Sequence, residues 1–224
     1  MIFHLRQPVV VLAMALGFVI AVLVHNLAQA AVGRMIGDPV VRMGRRRVLD
    51  PKREFEPFGI IAFVIGGVGW GSQVPLSEPR NRGRKGRFLT ALAAGPVADV
   101  VVGAGCVAAY GALTDGLPLF APRAQVIPIA SSGYAILGIV GLMCLAMGLL
   151  HVIPLPPLDG ARVLWALAPP TPGWQKARYN LEEQNYGLGA LVILSLPVFA
   201  GEGLVVQIAY AMAEPLRDVI LGLF

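Results

Sequence analysis

Two short clusters hold the side chains of this chain that could do chemistry. The first is His25-Asn26-Leu27-Ala28-Gln29, and the second is His151 and Asp159 in the stretch Leu150-His151-Val152-Ile153-Pro154-Leu155-Pro156-Pro157-Leu158-Asp159-Gly160. Both lie in or at the end of long apolar runs. An ionisable group there is expensive to keep and marks a functional site by default. Two His four apart on a helix, with Glu directly after the first, make a zinc-protease pattern: the imidazoles share one face and bind the ion, and the carboxylate activates its water. Here the frame is edited. Position 25 is His, but Asn26 stands where the pattern has Glu and Gln29 where it has the second His. A carboxamide takes no proton near neutral pH, so Asn26 is no general base, and Gln29 is a feeble zinc ligand. Asp99 is a further acid within an apolar run, at a depth expected to keep it from the two clusters.

These clusters need elements that bring them to one membrane depth. Only 14% of the 224 residues are charged and the mean hydropathy is +0.71, whereas a soluble domain is about a quarter charged. The chain therefore reads as an integral membrane protein. Uncharged runs over 7–33, 57–77, 124–158 and 184–201 are each long enough to cross or deeply enter a hydrocarbon core of about 30 Å, and a fifth, 88–114, is broken only by Asp99. The first run is too long for a cleaved signal peptide and lacks a small-x-small cleavage site, so it is a retained helix. Cys106 and Cys144 lie mid-run and read as packing residues. Trp70, Trp165 and Trp174 read as interfacial anchors, and His4 as a solvated residue near the outer surface. The net charge of +5 is concentrated in 34–53 and 80–87. Between apolar segments such loops are cytoplasmic by the positive-inside bias, with membrane lipids as partners and no nucleic acid.

The expected fold is an all-α membrane protein, a polytopic transmembrane helix bundle with a re-entrant or short-strand element, in a single integral membrane domain over 1–224. Residues 8–36 form a span carrying the His25 cluster and ending at Gly37-Asp38-Pro39. Short strands are expected near Val40-Val41 and over 47–49. Residues 57–77 are apolar but glycine-rich between two basic loops, which favours a re-entrant element shielded by protein. Residues 88–113 form a span with Gly95-Pro96 inside it, and Ala91, Ala94, Gly95 and Ala98 permit close helix contact. Residues 128–150 span back to the cytoplasmic side and are followed by a short interfacial helix over 161–167. Residues 186–200 are expected to cross again, and 203–224 are an interfacial helix or an imperfect span. With this topology His25/Gln29 and His151/Asp159 arrive at the same depth.

Taken together, the clusters resemble the site-2 protease family of intramembrane zinc metalloproteases, in its short bacterial branch. That family carries His-Glu-x-x-His on one membrane helix and Asn-x-x-Pro-x-Pro-x-x-Asp-Gly on a later one. The second motif stands here as His151-Val-Ile-Pro154-Leu-Pro156-Pro-Leu-Asp159-Gly160. The resemblance also takes in Gly37-Asp38-Pro39, Glu56-Pro57-Phe58-Gly59, Gly69-Trp70-Gly71 to Pro75, and Ala94-Gly95-Pro96-Val97-Ala98-Asp99, in order over about residues 8 to 200. It implies a bacterial cytoplasmic (inner) membrane protein with its polar cluster near the cytoplasmic face. It also implies His25 and Asp159 at metal-ligand positions, Gln29 at the lost ligand and Asn26 at the lost base. His151 and Asp99 each replace an Asn.

These departures leave two principal readings. In the first the site is dead: zinc is absent, Asp159 is held by a hydrogen bond or ion pair to His25 or His151, and the protein is a non-proteolytic pseudoprotease that binds or regulates a transmembrane partner. In the second, His151 supplies the lost imidazole, and His25, His151 and Asp159 hold zinc in an intramembrane metalloprotease with rearranged ligands. A third class, a small transporter using Asp99 and the two His as an ion path, is weaker.

Overall fold

The computed structural model describes residues 7–43, 51–78, 82–116, 133–197 and 203–224. Helix α1 (Pro8–Met35) starts on a proline, whose missing N–H costs nothing in a first turn, and runs 28 residues, about 42 Å at 1.5 Å per residue. It stops at Gly37, which takes φ +77. Asp38 Oδ1 then accepts from the Val40 and Val41 amides at 2.9 and 3.1 Å and starts helix α2 (Pro39–Met43). This capping bond is why Val40-Val41 is helical and not the strand expected from its β-branched residues. The other expected strand, 47–49, lies outside the described residues, as do His4 and 128–132. Among the described residues the extended pairing is an isolated bridge, Phe55 to Gly71.

Helices α3 (Pro51–Glu54) and α4 (Pro57–Gly66) follow. Glu56 caps α4 by accepting from the Gly59 amide at 2.6 Å and also accepts from the Trp70 indole at 3.0 Å. Helix α4 has ten residues and closes at Gly67 with φ 92; its length of about 15 Å is half the thickness of a bilayer core. The chain then returns without regular structure through 68–78. Trp70, expected at an interface, is instead wholly buried, because its indole N–H finds the Glu56 carboxylate inside the fold.

Helix α5 (Arg82–Thr114) is 33 residues long and includes Pro96. Ala91, Gly95, Asp99, Gly103 and Val107, four residues apart, are all buried and form its inward row. Helix α6 (Gly133–Leu150) is the most enclosed element, with thirteen of its eighteen residues buried. It packs on α1, on α5 and on the last helix. Gly103 and Gly141 bring α5 and α6 into backbone contact, since a Cβ on either would lie within 3 Å of the other's carbonyl oxygen.

After α6 come α7 (Asp159–Leu167) and α8 (Pro172–Arg178), the latter continuing as a π-helical turn through Tyr179–Glu183. Helices α9 (Tyr186–Ser195) and α10 (Leu204–Leu221) complete the described chain. The result is an all-α bundle in which Pro8–Met35, Lys85–Thr114 and Gly133–Leu150 are long and apolar enough to cross a membrane. Helix α9 has ten residues, shorter than a full crossing.

A second apolar cluster fixes the end of the bundle where the polar residues of α1 lie. Val74 and Leu76 of the return segment pack with Ala30 of α1 and with Phe88, Ala91 and Leu92 of α5. Their period of two leaves Gln73 and Pro75 facing out. The segment 71–78 thus lies as a strap beside the polar end of α1.

Candidate functional site

Helix α1 contributes His25, Asn26 and Gln29 from one face, all buried. Helix α5 contributes Gly95 and Asp99. The turn after α6 contributes His151, and the first residue of α7 is Asp159. The proline-rich turn brings these last two together: the Gly160 amide donates to the His151 carbonyl at 2.7 Å. A Cβ on Gly160 would collide with the Val152 and Ile153 carbonyl oxygens, so this close return requires glycine.

His25 is the hub. Its Nδ1 lies 2.8 Å from Asp99 Oδ2 and its Nε2 lies 2.7 Å from Asp159 Oδ2. Two carboxylates on the two ring nitrogens share one more proton than a neutral ring carries, either on the imidazole or on one acid. Arg162 stands on α7 with Nη1 3.7 Å from Asp159 Oδ1. It donates to the Val74 carbonyl at 3.1 Å and lies over the Phe88 ring at 5.6 Å. With His25 protonated, Asp99, Asp159, His25 and Arg162 sum to zero charge, which is how buried ionic groups are kept tolerable.

The two edited positions are both amide donors to acids. Gln29 Nε2 donates to Asp159 Oδ2 at 2.6 Å and to the Leu92 carbonyl at 3.1 Å. That carbonyl needs the help: its helical donor would be the amide of residue 96, which is proline and has no N–H. Asn26 Nδ2 donates to Glu54 Oε2 at 2.6 Å. Sequence reasoning missed Glu54, which looks like one acid in a basic loop; only the Phe55–Gly71 bridge and the Ser72 amide bond to the Glu54 carbonyl, 2.8 Å, carry it inward. Gly95 and Arg162 were also missed as site residues. The Ala-Gly-Pro signal around residue 95 was visible, but not that it clears space for an imidazole.

Asp99 corrects an expectation. It is fully buried on the inward row of α5 and reaches His25, whereas its depth was expected to keep it away. Among the described residues its Oδ1 has no hydrogen-bond partner. His151 Nδ1 donates to the Met147 carbonyl at 2.8 Å, so in the neutral ring the lone pair is on Nε2. Its ring centre is 4.2 Å from that of His25. Among the described residues, His25, Asp99 and His151 are the set whose ligand atoms all lie within 4.8 Å of one another. These donors, with an orphan carboxylate oxygen among them, fit a divalent ion in kind. A small cavity bounded by His25, Asn26, Gln29, His151 and Asp159 and roofed by strap residues 71–73 has room for about one water-sized particle.

The strap is tied down along its length. Gln73 donates to the Pro157 carbonyl. The Ser77 amide and hydroxyl donate to Asp38 at 2.9 and 3.1 Å, and Glu78 makes a bidentate ion pair with Arg178, which also holds Glu182 at 2.8 Å. The Arg178 guanidinium lowers the Glu78 pKa from its ordinary 4.5, and the same bond raises that of Arg178.

No protein-family model matches this chain, and no solved structure matches it. The chain is 26% identical over 221 residues to a Bacillus subtilis protein named "Putative zinc metalloprotease YwhC", covering 97% of this chain and 91% of that one. The similarity runs along nearly the whole of both chains, and this chain has three helices long and apolar enough to cross a membrane.

Proposed function

We propose that this protein is a site-2-protease-like membrane protein that does not cut: a pseudoprotease that binds, holds or shields a transmembrane partner, with its polar site near the cytoplasmic face of a bacterial inner membrane. One observation carries the reading. Both edited motif positions are committed donors, Asn26 to Glu54 and Gln29 to Asp159. A water-activating base must accept a proton and a zinc ligand must offer a lone pair, and here each amide presents its N–H to an acid. In this reading Gln29, His25 and Arg162 compensate the Asp159 carboxylate where a family member would use an ion. The site then acts as polar glue between α1, α5 and α7, and the strap beside it is the surface a partner segment meets.

The gathering of His25, Asp99 and His151 supports a second reading, an intramembrane zinc metalloprotease with rearranged ligands. His25, His151 and one of Asp99 or Asp159 would hold the zinc, which supplies a Lewis acid and an acidified water. The chain's own part would be to orient His25 through whichever carboxylate is not a ligand.

Metal analysis of the purified protein, with His25→Ala, His151→Ala and Asp159→Ala as controls, separates the two. The pseudoprotease reading expects wild type without stoichiometric zinc and no cleavage of transmembrane peptides in zinc-supplemented proteoliposomes. Zinc that is bound one-to-one and lost in the variants, together with cleavage, would overturn it.

A further inference from the structure

The contact between Asn26 and Glu54 is more than a spare hydrogen bond. Both side chains are buried, at 6% and 4% exposure, and the N···O distance is 2.6 Å. Glu54 has little freedom to retreat. Its carbonyl is held by the Ser72 amide, the next residue is bridged to Gly71, and the Phe55 ring packs 5.9 Å from Phe18 of α1. Position 26 is fixed in turn by α1, one residue from the His25 hub. Whatever side chain stands at 26 therefore meets a carboxylate whose backbone is pinned beside it.

We infer that Glu54 is a positioning residue that biases what position 26 can be: an ionised acid at 54 favours an N–H donor at 26, so Glu54 and an ionised carboxylate at the base position oppose each other in this fold. The inference rests on the reading of Asn26 as the edited base, and it deepens that reading. The loss of the base is then favoured by a partner on another element. Two ionised carboxylates at this distance repel, and relieving that takes a proton on one of them. Rewriting the first motif as His-Glu-x-x-His would leave an ionised base opposed by Glu54. An amide at residue 54 removes that opposition.

The test is a cycle on the full chain in detergent: wild type, Asn26→Asp, Glu54→Gln, and the two combined. Asn26→Asp keeps the side chain's shape and removes its donor, so the melting temperature should fall by about 5 °C or more. Glu54→Gln keeps an acceptor for Asn26 and should lose less than Asn26→Asp. The combined variant restores the bond with its direction reversed, the amide at position 54 now donating to the carboxylate at position 26, and should recover most of the loss. If Asn26→Asp does not accumulate as folded protein, recovery of folded protein in the combined variant is the same result. An Asn26→Asp variant as stable as wild type, or one that Glu54→Gln fails to rescue, would overturn the coupling. Zinc-dependent cleavage by wild type would overturn the pseudoprotease reading and leave the cycle's outcome standing, so the two failures are distinct.

Discussion

Gly95 on α5 lies against the face of the His25 imidazole: a Cβ at position 95 would lie 2.5, 2.6 and 2.7 Å from Nε2, Cδ2 and Cε1. The hub of the polar network can thus sit between Asp99 and Asp159 only because α5 has no side chain at this point. The nitrogen that Gly95 exposes is the one that reaches Asp159.

Gly95→Ala should push the His25 ring off one or both carboxylates. The helix gains slightly in intrinsic propensity, but overpacking and a strained buried ion pair outweigh that, and a net loss of about 1–3 kcal/mol is expected. Thermal unfolding in detergent measures it. A variant more stable than wild type would mean that the ring has slack the geometry does not show.

Gln29→Leu is nearly isosteric and removes both of that residue's bonds. Asp159 Oδ2 loses a donor, and the Leu92 carbonyl, already without its helical partner at Pro96, is left unpaired. The expected cost is about 1–3 kcal/mol for each group left unsatisfied. Adding Pro96→Ala should recover part of it, because alanine at that position returns the amide that the Leu92 carbonyl lacks. Equal melting temperatures for Gln29→Leu with and without Pro96→Ala would refute this account of the helix.

Asp38 serves two structures at once, capping α2 through the Val40 and Val41 amides and anchoring the strap through Ser77. Asp38→Ala should cost about 1–2 kcal/mol as a lost cap and should raise hydrogen exchange at both 40–41 and 76–78. Ser77→Ala should raise exchange in the strap alone. Protection unchanged at Ser77 in Asp38→Ala would separate the two roles.

The far end of the strap should respond to pH. The Glu78 pKa is held below its ordinary 4.5 by Arg178. A carboxylate whose folded value is depressed contributes its stabilisation fully above the unfolded value and loses it as pH falls through the folded one. Hydrogen exchange near Glu78 should therefore be flat above about pH 5.5 and accelerate, after correction for intrinsic rates, below about pH 4.5. Because the pair is half exposed, the effect on global stability is small. Glu78→Gln should show the loosened strap at all pH values; an unaltered pH profile in that variant would place the titration elsewhere.

Much of this architecture was legible in the chain itself. Apolar length and sparse charge required membrane-crossing helices, because a bilayer leaves no other use for such runs. Pro8, Gly37 and the Gly66-Gly67 pair marked where helices begin and end, since each follows from what one residue's backbone can do. The edits at 26 and 29 were visible because a helical frame of i and i+4 is itself a local property. So was a histidine partner for Asp159, His25 or His151, as the remedy for a buried acid; the fold supplies His25.

Tertiary structure alone decided the partners that come from elsewhere. Asp99 looked too deep to matter, but depth along one helix does not state which side chains lean toward it. The tight contact of α5 with α6 and the gap at Gly95 bring it to His25. Glu54 read as a loop acid until a bridge to Gly71 turned it inward, and the dependence of the Leu92 carbonyl on Gln29 joins residues 63 positions apart. Sequence spacing fixes which groups share a face of one element. Which buried acid meets which amide is set by how the elements pack, because an unpaired polar group in an apolar interior must find a donor wherever the fold supplies one.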